Sequence, residues 1–507
     1  MVGLHVVLAV ADFPLWIRVT HYINLLFMFL LMRAGLQILV AHPRLYWNSS
    51  CKPGSEWLKF TKATVPTDRL YTAMDDERSI SPWLALPGKD ELGMGRHWHF
   101  FCATFWMLSG LVYVVLLFAT GEWSRLIPTS WEIVPRAWHT ALIYGSFHIP
   151  PASDFRPFDP LQQLAYAGVV FLLAPFQIIT AFALSPAIEA RFPWFIKLLG
   201  GKQGARSLHF IGLVLWALFG VVHITLVFVV HFQDNVRNII WGNAPGAAHA
   251  SLTLALVIFF GSFAVAVLIA AWASWYTLGH RRRMQHVLGA VVDPIRMLSM
   301  QRLTTRQHYT NVSSYFWTNG YPPETAEYKT LVATNFADYR LEVSGLMDTP
   351  LRLSLDDLRA MAQESQTTLH NCIQGWSGIA AWTGVPITAI LQRCGASPRA
   401  KYLVFTSYQQ GKQSFPQATQ SWARPFYEAL PMGQATHPQT ILALEMNGEP
   451  LPVNHGAPVR LRVETYLGYK MVKWVRSIEL VDAYTHLWDG QGGFREDNQY
   501  YGTSAEI

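Results

Sequence analysis

Charge is scarce in this chain. Asp, Glu, Lys and Arg make up 14% of its 507 residues, where soluble domains carry roughly 25%. A chain this long lacks the polar residues to wrap itself as one soluble globule, and the deficit lies almost wholly before residue 280. Cysteine is scarce too. Cys51, Cys102, Cys372 and Cys394 form no CxxC pair, which argues against both a disulfide framework and a thiolate cluster. The net charge of +6 is spread along the chain without a basic stripe, so nucleic acid is not an expected partner. The first ten residues lack a basic n-region and a cleavage site, and no removable signal peptide is expected.

Long apolar runs are what the first half does contain. Stretches near 19–41, 98–120, 161–184, 208–232 and 249–278 are each long enough to cross a hydrocarbon core, which takes about 20 helical residues. An all-α transmembrane bundle of about five spans, solvated by membrane lipid, is the fold class they predict. Trp131–Ile149 mixes Glu132, Arg136 and His139 with aromatics and reads as a helix lying in the interface. Lys and Arg near the span ends number fifteen on one side, including Arg281–Arg283, against five on the other. That asymmetry puts the N-terminus outside and the C-terminal half in the cytoplasm.

His21, His99, His209 and His223 stand inside or at the ends of these spans. An imidazole in hydrocarbon needs a partner. His209 and His223 are 14 residues apart, so they share a helix face about 21 Å apart along the axis. Alternating spans match His99 with His209 in depth near one surface, and His21 with His223 near the other. Each alone reads equally well as an interfacial histidine bonded between helices. Four at matching depths favour two bis-histidine b haems. His97 points about 200° away from His99, so only one of the two can face the bundle. His42, His139, His148 and His231 are expected to be interfacial, and Arg33 to snorkel or pair with a propionate.

WIRVTHYIN, AHPRLYW, GRHWHFF and ARSLHFIG…VVHITLV resemble the cytochrome b subunits of formate dehydrogenases and nickel–iron hydrogenases over roughly residues 12–235. The resemblance implies a quinone-linked di-haem electron carrier with His21, His99, His209 and His223 as ligands, His99 preferred to His97. The long first connection and the apparently inverted orientation depart from that family.

After Arg283 the texture changes. Alternating runs at Tyr339–Val343, Tyr402–Thr406, Val459–Val463 and Val472–Val481 predict strands, and Asn447-Gly448 a tight hairpin. Ser354 with Asp357 predicts a capped short helix. Another helix is expected from Pro386 to Arg393, stopping at Gly395. Many strands and few helices without a βαβ rhythm make this half α+β. The segment His370–Gly378 (HNCIQGWSG) is a polar, glycine-rich loop exposing one cysteine beside a tryptophan. Such a thiol could be a nucleophile, a soft metal ligand or an inert buried group.

This loop resembles the cysteine loop of the sulfite-oxidase superfamily of molybdenum enzymes, nearest the bacterial methionine-sulfoxide reductase catalytic subunit. The likeness extends over about 307–485 through SSYFWTNG from Ser313, FYE from Phe426, HPQT from His437, NHGAPVRL from Asn454 and GYKMVK from Gly468. It implies that Cys372 is the catalytic thiolate on molybdenum, beside the dithiolene of one molybdopterin. Arg460, Lys473 and the adjacent Lys470 would then meet the pterin phosphate. Met471 and Val472 fall in the same cofactor-contacting stretch. His455 would contact the cofactor where the sulfoxide-reductase branch uses asparagine, Ser407 would lie near the pterin, and Ser313, Phe316 and Trp317 would form the N-terminal cofactor segment.

The expected organisation is a di-haem cytochrome b domain over 1–283, a linker over 284–310, a sulfite-oxidase-type molybdopterin domain over 311–485 and a tail over 486–507. The expected function is an oxidoreductase exchanging electrons between quinone or quinol and Mo-molybdopterin through two haem b groups. The molybdenum centre would move an oxygen atom to or from a small S- or N-oxide type of oxo-substrate. Alternatives are a sulfite or organosulfur dehydrogenase, with Arg424 and Arg399 as anion-pocket candidates, and a redox sensor without molybdenum turnover. A homo-oligomer stays open.

Overall fold

The computed structural model describes residues 13–150, 158–242, 251–299, 306–410 and 424–499. The chain divides into two compact units. One comprises Met1–Gly35, Trp98–Phe182 and Leu208–Leu278; the other comprises Leu36–His97, Ala183–Ser207 and Gly279–Ile507.

Five helices are long and apolar enough to cross a membrane: Leu15–Leu39, Leu92–Ala119, Pro160–Ala183, Gly201–Val229 and Leu252–Gly279. They fall within a few residues of the expected spans. Leu111, Val115, Val221 and Leu268 project outward exposed, an apolar surface that suits lipid rather than water. The helix Ile133–Gly145 has 13 residues, too few to cross. The third span carries a π-helical turn over Val169–Leu173. Two polar side chains inside the first unit bond one helix to another. Arg33 donates to the Ala270 carbonyl at 3.0 Å and to Ser274 Oγ at 2.8 Å, and Trp98 Nε1 to Thr277 Oγ1 at 3.0 Å. In hydrocarbon such bonds have no competing water, so the fifth span is pinned to the first and second. Arg33 thus binds a helix rather than snorkelling.

The second unit is sheet-rich α+β. Apart from a small antiparallel pair, Arg44–Leu45 with Leu58–Lys59, its strands are β1 (Leu341–Gly345), β2 (Leu351–Leu353), β3 (Glu364–Asn371), β4 (Ser377–Pro386), β5 (Tyr402–Gln410), β6 (Pro425–Pro431), β7 (Thr440–Met446), β8 (Glu449–Pro450), β9 (Arg460–Val463) and β10 (Val475–Val481). One sheet runs β2-β1-β10-β5-β6, with β10 parallel to β1. The other runs β8-β7-β4-β3, and β9 also pairs with β7. The core between helices and sheets includes Leu341, Ile390, Phe405, Leu461, Trp474 and Ile478. Ser354 caps the helix Leu355–Ala360 through a capping box with Asp357, and Ile387–Cys394 ends at Gly395 with φ 64°. Asn447-Gly448 joins β7 to β8. These local signals survive folding because each satisfies helix-end or turn groups that nothing else nearby can.

Four parts of the expected organisation differ. The connection 36–97 belongs with the second unit, not with the membrane bundle. Its Arg44 is buried, bonded to Asp76 at 2.8 Å and to Glu56 at 2.7 Å, an arrangement that only a folded surround supports. His42, expected at an interface, is fully buried with Nδ1 3.7 Å from Asp76, and burial with the charges of Arg206 and Arg44 keeps it neutral. The supposed linker begins as a helix, Arg281–Ser299, whose Met284, Leu288 and Val292 are buried at the four-residue spacing of an amphipathic face. Farther on, Gln307 is docked: its backbone N–H donates to Gln439 Oε1 at 2.8 Å, and its own Oε1 accepts from Leu369 N at 3.1 Å.

The supposed tail is structural as well. Phe494 is fully buried beside Val404, Tyr427 and Val481, and Glu496 and Glu428 both bond the Lys470 ammonium. Lys470 is raised above its usual range by those two carboxylates despite its burial. The triad is therefore held together by charge. Removing the lysine alone would strand two buried acids, a loss on the order of 3–5 kcal/mol by analogy with broken buried pairs.

Candidate functional site

The first unit brings the four expected histidines into two pairs. The His21 and His223 rings stand 6.2 Å apart between centroids, and those of His99 and His209 6.4 Å. Two metal–nitrogen bonds of about 2 Å, with about 1 Å from each nitrogen to its ring centre, place trans imidazoles roughly 6 Å apart. Both gaps therefore fit an iron between rings. Tyr166 Oη lies 3.4 Å from His223 Nδ1 and Thr180 Oγ1 3.1 Å from His209 Nδ1, with the Gln177 amide nitrogen 3.2 Å from both His209 nitrogens. Partners of this kind orient a ligating imidazole. His97 is bound elsewhere: its Nδ1 donates to the Gly93 carbonyl at 2.9 Å.

Between the pairs stands an indole couple. Trp106 follows His99 by seven residues, and Trp216 lies midway between His209 and His223. A seven-residue step returns to nearly the same helix face. The two indoles meet edge to face at 5.6 Å.

In the second unit, β3 and β4 pair in register down to Asn371 opposite Ser377. The five residues between them make the cysteine hairpin. Cys372 N donates to the Trp376 carbonyl and Gly375 N to the Cys372 carbonyl, both at 3.1 Å. Gly375 turns the chain with φ 110°, a region that an L side chain resists. The Cys372 sulfur is buried, 3.7 Å from Asn319 Nδ2 and 3.6 Å from Gln374 Oε1. Burial pushes its thiol up to about 12, so it stays protonated unless a cation takes the proton's place.

A cleft opens beside it, with Trp317, His455, Arg460, Met471 and Lys473 among its lining, and Cys372 sits behind the lining residues Asn319 and Trp376. Asn319, His370, Gln409, Tyr469 and Arg495 join them. Burial pushes His455 down to about 3, with the charges of Arg460 and Lys473 adding to the shift. The same causes lower Lys473 and Arg460, where Arg462 is the neighbouring charge on Arg460, and His370, where Arg462 and Arg460 are the first charges felt. A buried cluster in which each cation is depressed by the others is a site short of anions. The donor chemistry therefore fits a phosphate-bearing, metal-carrying dithiolene. Gly456, at φ 116°, allows the approach: a Cβ there would meet Lys473 Cβ at 3.0 Å.

The remaining expected residues act around the cleft. Phe316 packs its ring against His370, Trp376, Trp382 and His455. Ser407 Oγ donates to the Lys473 carbonyl at 2.7 Å and so fixes the backbone of that lysine. Ser313 Oγ accepts from Ile379 N at 2.9 Å, tying its segment to β4. Val472 is buried, its carbonyl accepting from Leu461 N at 2.8 Å. Lys470 is the correction, since its ammonium is taken by Glu428 and Glu496 and does not serve the cleft. Arg424 pairs with Asp489 at 2.7 Å and Arg399 is exposed near Asp482; neither lines the cleft. Gln409 was findable from the period of two that places it on the face of Ser407. Arg495 had no such signal, lying outside every motif.

Two family descriptions match this chain. "Prokaryotic cytochrome b561" covers residues 12–242, and "Oxidoreductase molybdopterin binding domain" covers 328–488. YedZ1 of Azospira oryzae, named as a protein-methionine-sulfoxide reductase subunit, is 38% identical over 164 residues, 32% of this chain and 55% of that one. The protein-methionine-sulfoxide reductase catalytic subunit MsrP of Xanthomonas campestris is 34% identical over 185 residues, 36% of this chain and 56% of that one. The chain spans about half the length of the curated relatives it matches.

Proposed function

We propose that this chain, a cytochrome b561-type membrane domain joined to a molybdopterin-binding oxidoreductase domain, takes electrons from a quinol through two b haems and reduces a small S- or N-oxide at molybdenum. The observation that carries the reading is the anion-short cleft beside the buried Cys372 sulfur. The names of the two relatives favour the reductive direction and a sulfoxide.

Molybdenum, when bound, supplies exchange of an oxygen atom coupled to two electrons. A sulfoxide then takes up two electrons and two protons and leaves as a sulfide and water. Each haem carries one electron, so the two histidine pairs deliver in single steps what the oxo-transfer uses in twos. Cys372 would hold the metal by its sulfur, while Arg460 and Lys473 would meet the pterin phosphate with charge-assisted bonds. Phe316 packs behind the rings of His370, Trp376 and His455 that line the cleft. Joining both functions in one chain holds donor and acceptor at high effective concentration.

The purified chain tests this directly. Dithionite-reduced haem is reoxidised within the mixing time when a sulfoxide or N-oxide is added. Reduction of oxidised haem by sulfite, with no response to oxides, establishes the dehydrogenase instead.

The molybdopterin domain faces the cytoplasm in this reading. Arg44 and Lys202 on that side and Arg125 on the other are buried and can be set aside as structural, yet the thirteen remaining cations still outnumber the four opposite. Alkaline phosphatase fused after Ile507 should be inactive in cells and green fluorescent protein at the same place bright; the reverse pattern reverses the topology.

A further inference from the structure

The cysteine hairpin is gripped by residues from far upstream. Lys202 Nζ donates to Asn371 Oδ1 at 2.5 Å, and Gln203 Nε2 to the Gly375 carbonyl at 2.9 Å and to Ser377 Oγ at 3.1 Å. The Arg206 guanidinium packs where a Cβ on Gly375 would stand, 3.3 Å from its Nε. It also donates to the carbonyls of His42 and Arg44. Lys202, Gln203 and Arg206 occupy one helical turn and all belong to the same compact unit as Cys372. None of the three lies within the 328–488 stretch that matches the molybdopterin domain.

Lys202 is an expensive choice for a mere clamp. It is buried and bonds a neutral amide, a bond that an uncharged donor could supply without desolvating an ammonium. Among the described residues no carboxylate pairs with it within 4.0 Å, and Glu189, the acid whose charge it feels most, acts from beyond that distance. Its bond to Asn371 sets that charge one residue from Cys372.

We infer that Lys202 and Gln203 are positioning residues of the molybdenum site: Gln203 sets the hairpin that presents the Cys372 sulfur, and the Lys202 charge favours the reduced metal. The inference rests on the proposed binding of molybdenum at Cys372. A fixed positive charge beside the centre stabilises the state with one more electron, so removing it lowers the potential.

The test is redox titration of the Mo(V) paramagnetic signal in the full-length holoprotein, with molybdenum and haem content measured alongside. Lys202→Gln should keep its haem and raise the ratio of oxidised to reduced metal about tenfold at a fixed ambient potential, equal to about 59 mV for one electron. Lys202→Arg should stay within about threefold of the parent. Lys202→Gln loaded with metal at an unshifted potential overturns the inference. If Lys202→Gln loses its metal, Lys202→Arg decides: metal retained at the parent potential upholds the role of the charge, and metal lost with haem intact overturns it. A parent protein without molybdenum defeats the underlying reading instead, and metal analysis tells that outcome apart.

Discussion

Cys372→Ser abolishes oxide-driven haem reoxidation, with turnover falling on the order of a thousandfold, equivalent to about 4 kcal/mol of transition-state stabilisation. The haem spectrum keeps its full amplitude. A hydroxyl is a harder and far less acidic donor than a thiol, and the pocket already pushes even the thiol up to about 12, so serine would remain a neutral alcohol beside the metal. The variant should fold, because the hairpin is closed by backbone bonds at Cys372 and Gly375 and not by the sulfur. Stopped-flow reoxidation with metal analysis is the measurement. Undiminished turnover by the serine protein removes Cys372 from the chemistry.

With two haems bound as proposed, His223→Ala should lower bound haem from two per chain to one, and His99→Ala should do the same at the other pair. The double variant binds none, while molybdenum content is unchanged throughout. Each pair presents its rings across a gap of 6.2 or 6.4 Å, and a b haem, held without a covalent bond to protein, depends on both axial ligands. His97→Ala should keep both haems, since its ring is bonded to its own helix at Gly93. Pyridine haemochrome assays on the purified variants give the count. Two haems retained by either single variant would break the assigned pairing.

The membrane half was legible because lipid imposes one strong rule: a span must be long and apolar, and a polar group within it must have a partner. Five spans and both histidine pairs follow from that rule and from helix phase. The molybdopterin half was legible through turn and capping residues and through the run around Cys372, whose chemistry is local. β3 and β4, the strands that present this cysteine, gave no signal of their own. ESQTTLHN and SGIAAWTGVP are polar or small-residue runs without clear alternation, and only their pairing with each other and with β7 makes them strands. The grip of Lys202 and Gln203 on the hairpin was likewise hidden, because 169 residues separate Lys202 from Asn371. The tail and linker were misjudged for a related reason. Their anchors, Phe494, Glu496 and Gln307, declare themselves only against partners elsewhere in the chain.

The indole couple of Trp106 and Trp216 bears on how the bilayer keeps its voltage. A protein that wires one leaflet to the other must not also open a wet path for protons. Edge-to-face rings at mid-depth fill the space between them with aromatic carbon. Electrons tunnel readily through such packed matter while ions do not, so a bundle with haems at both pairs, as proposed, would carry electronic current and leave the membrane around it insulating.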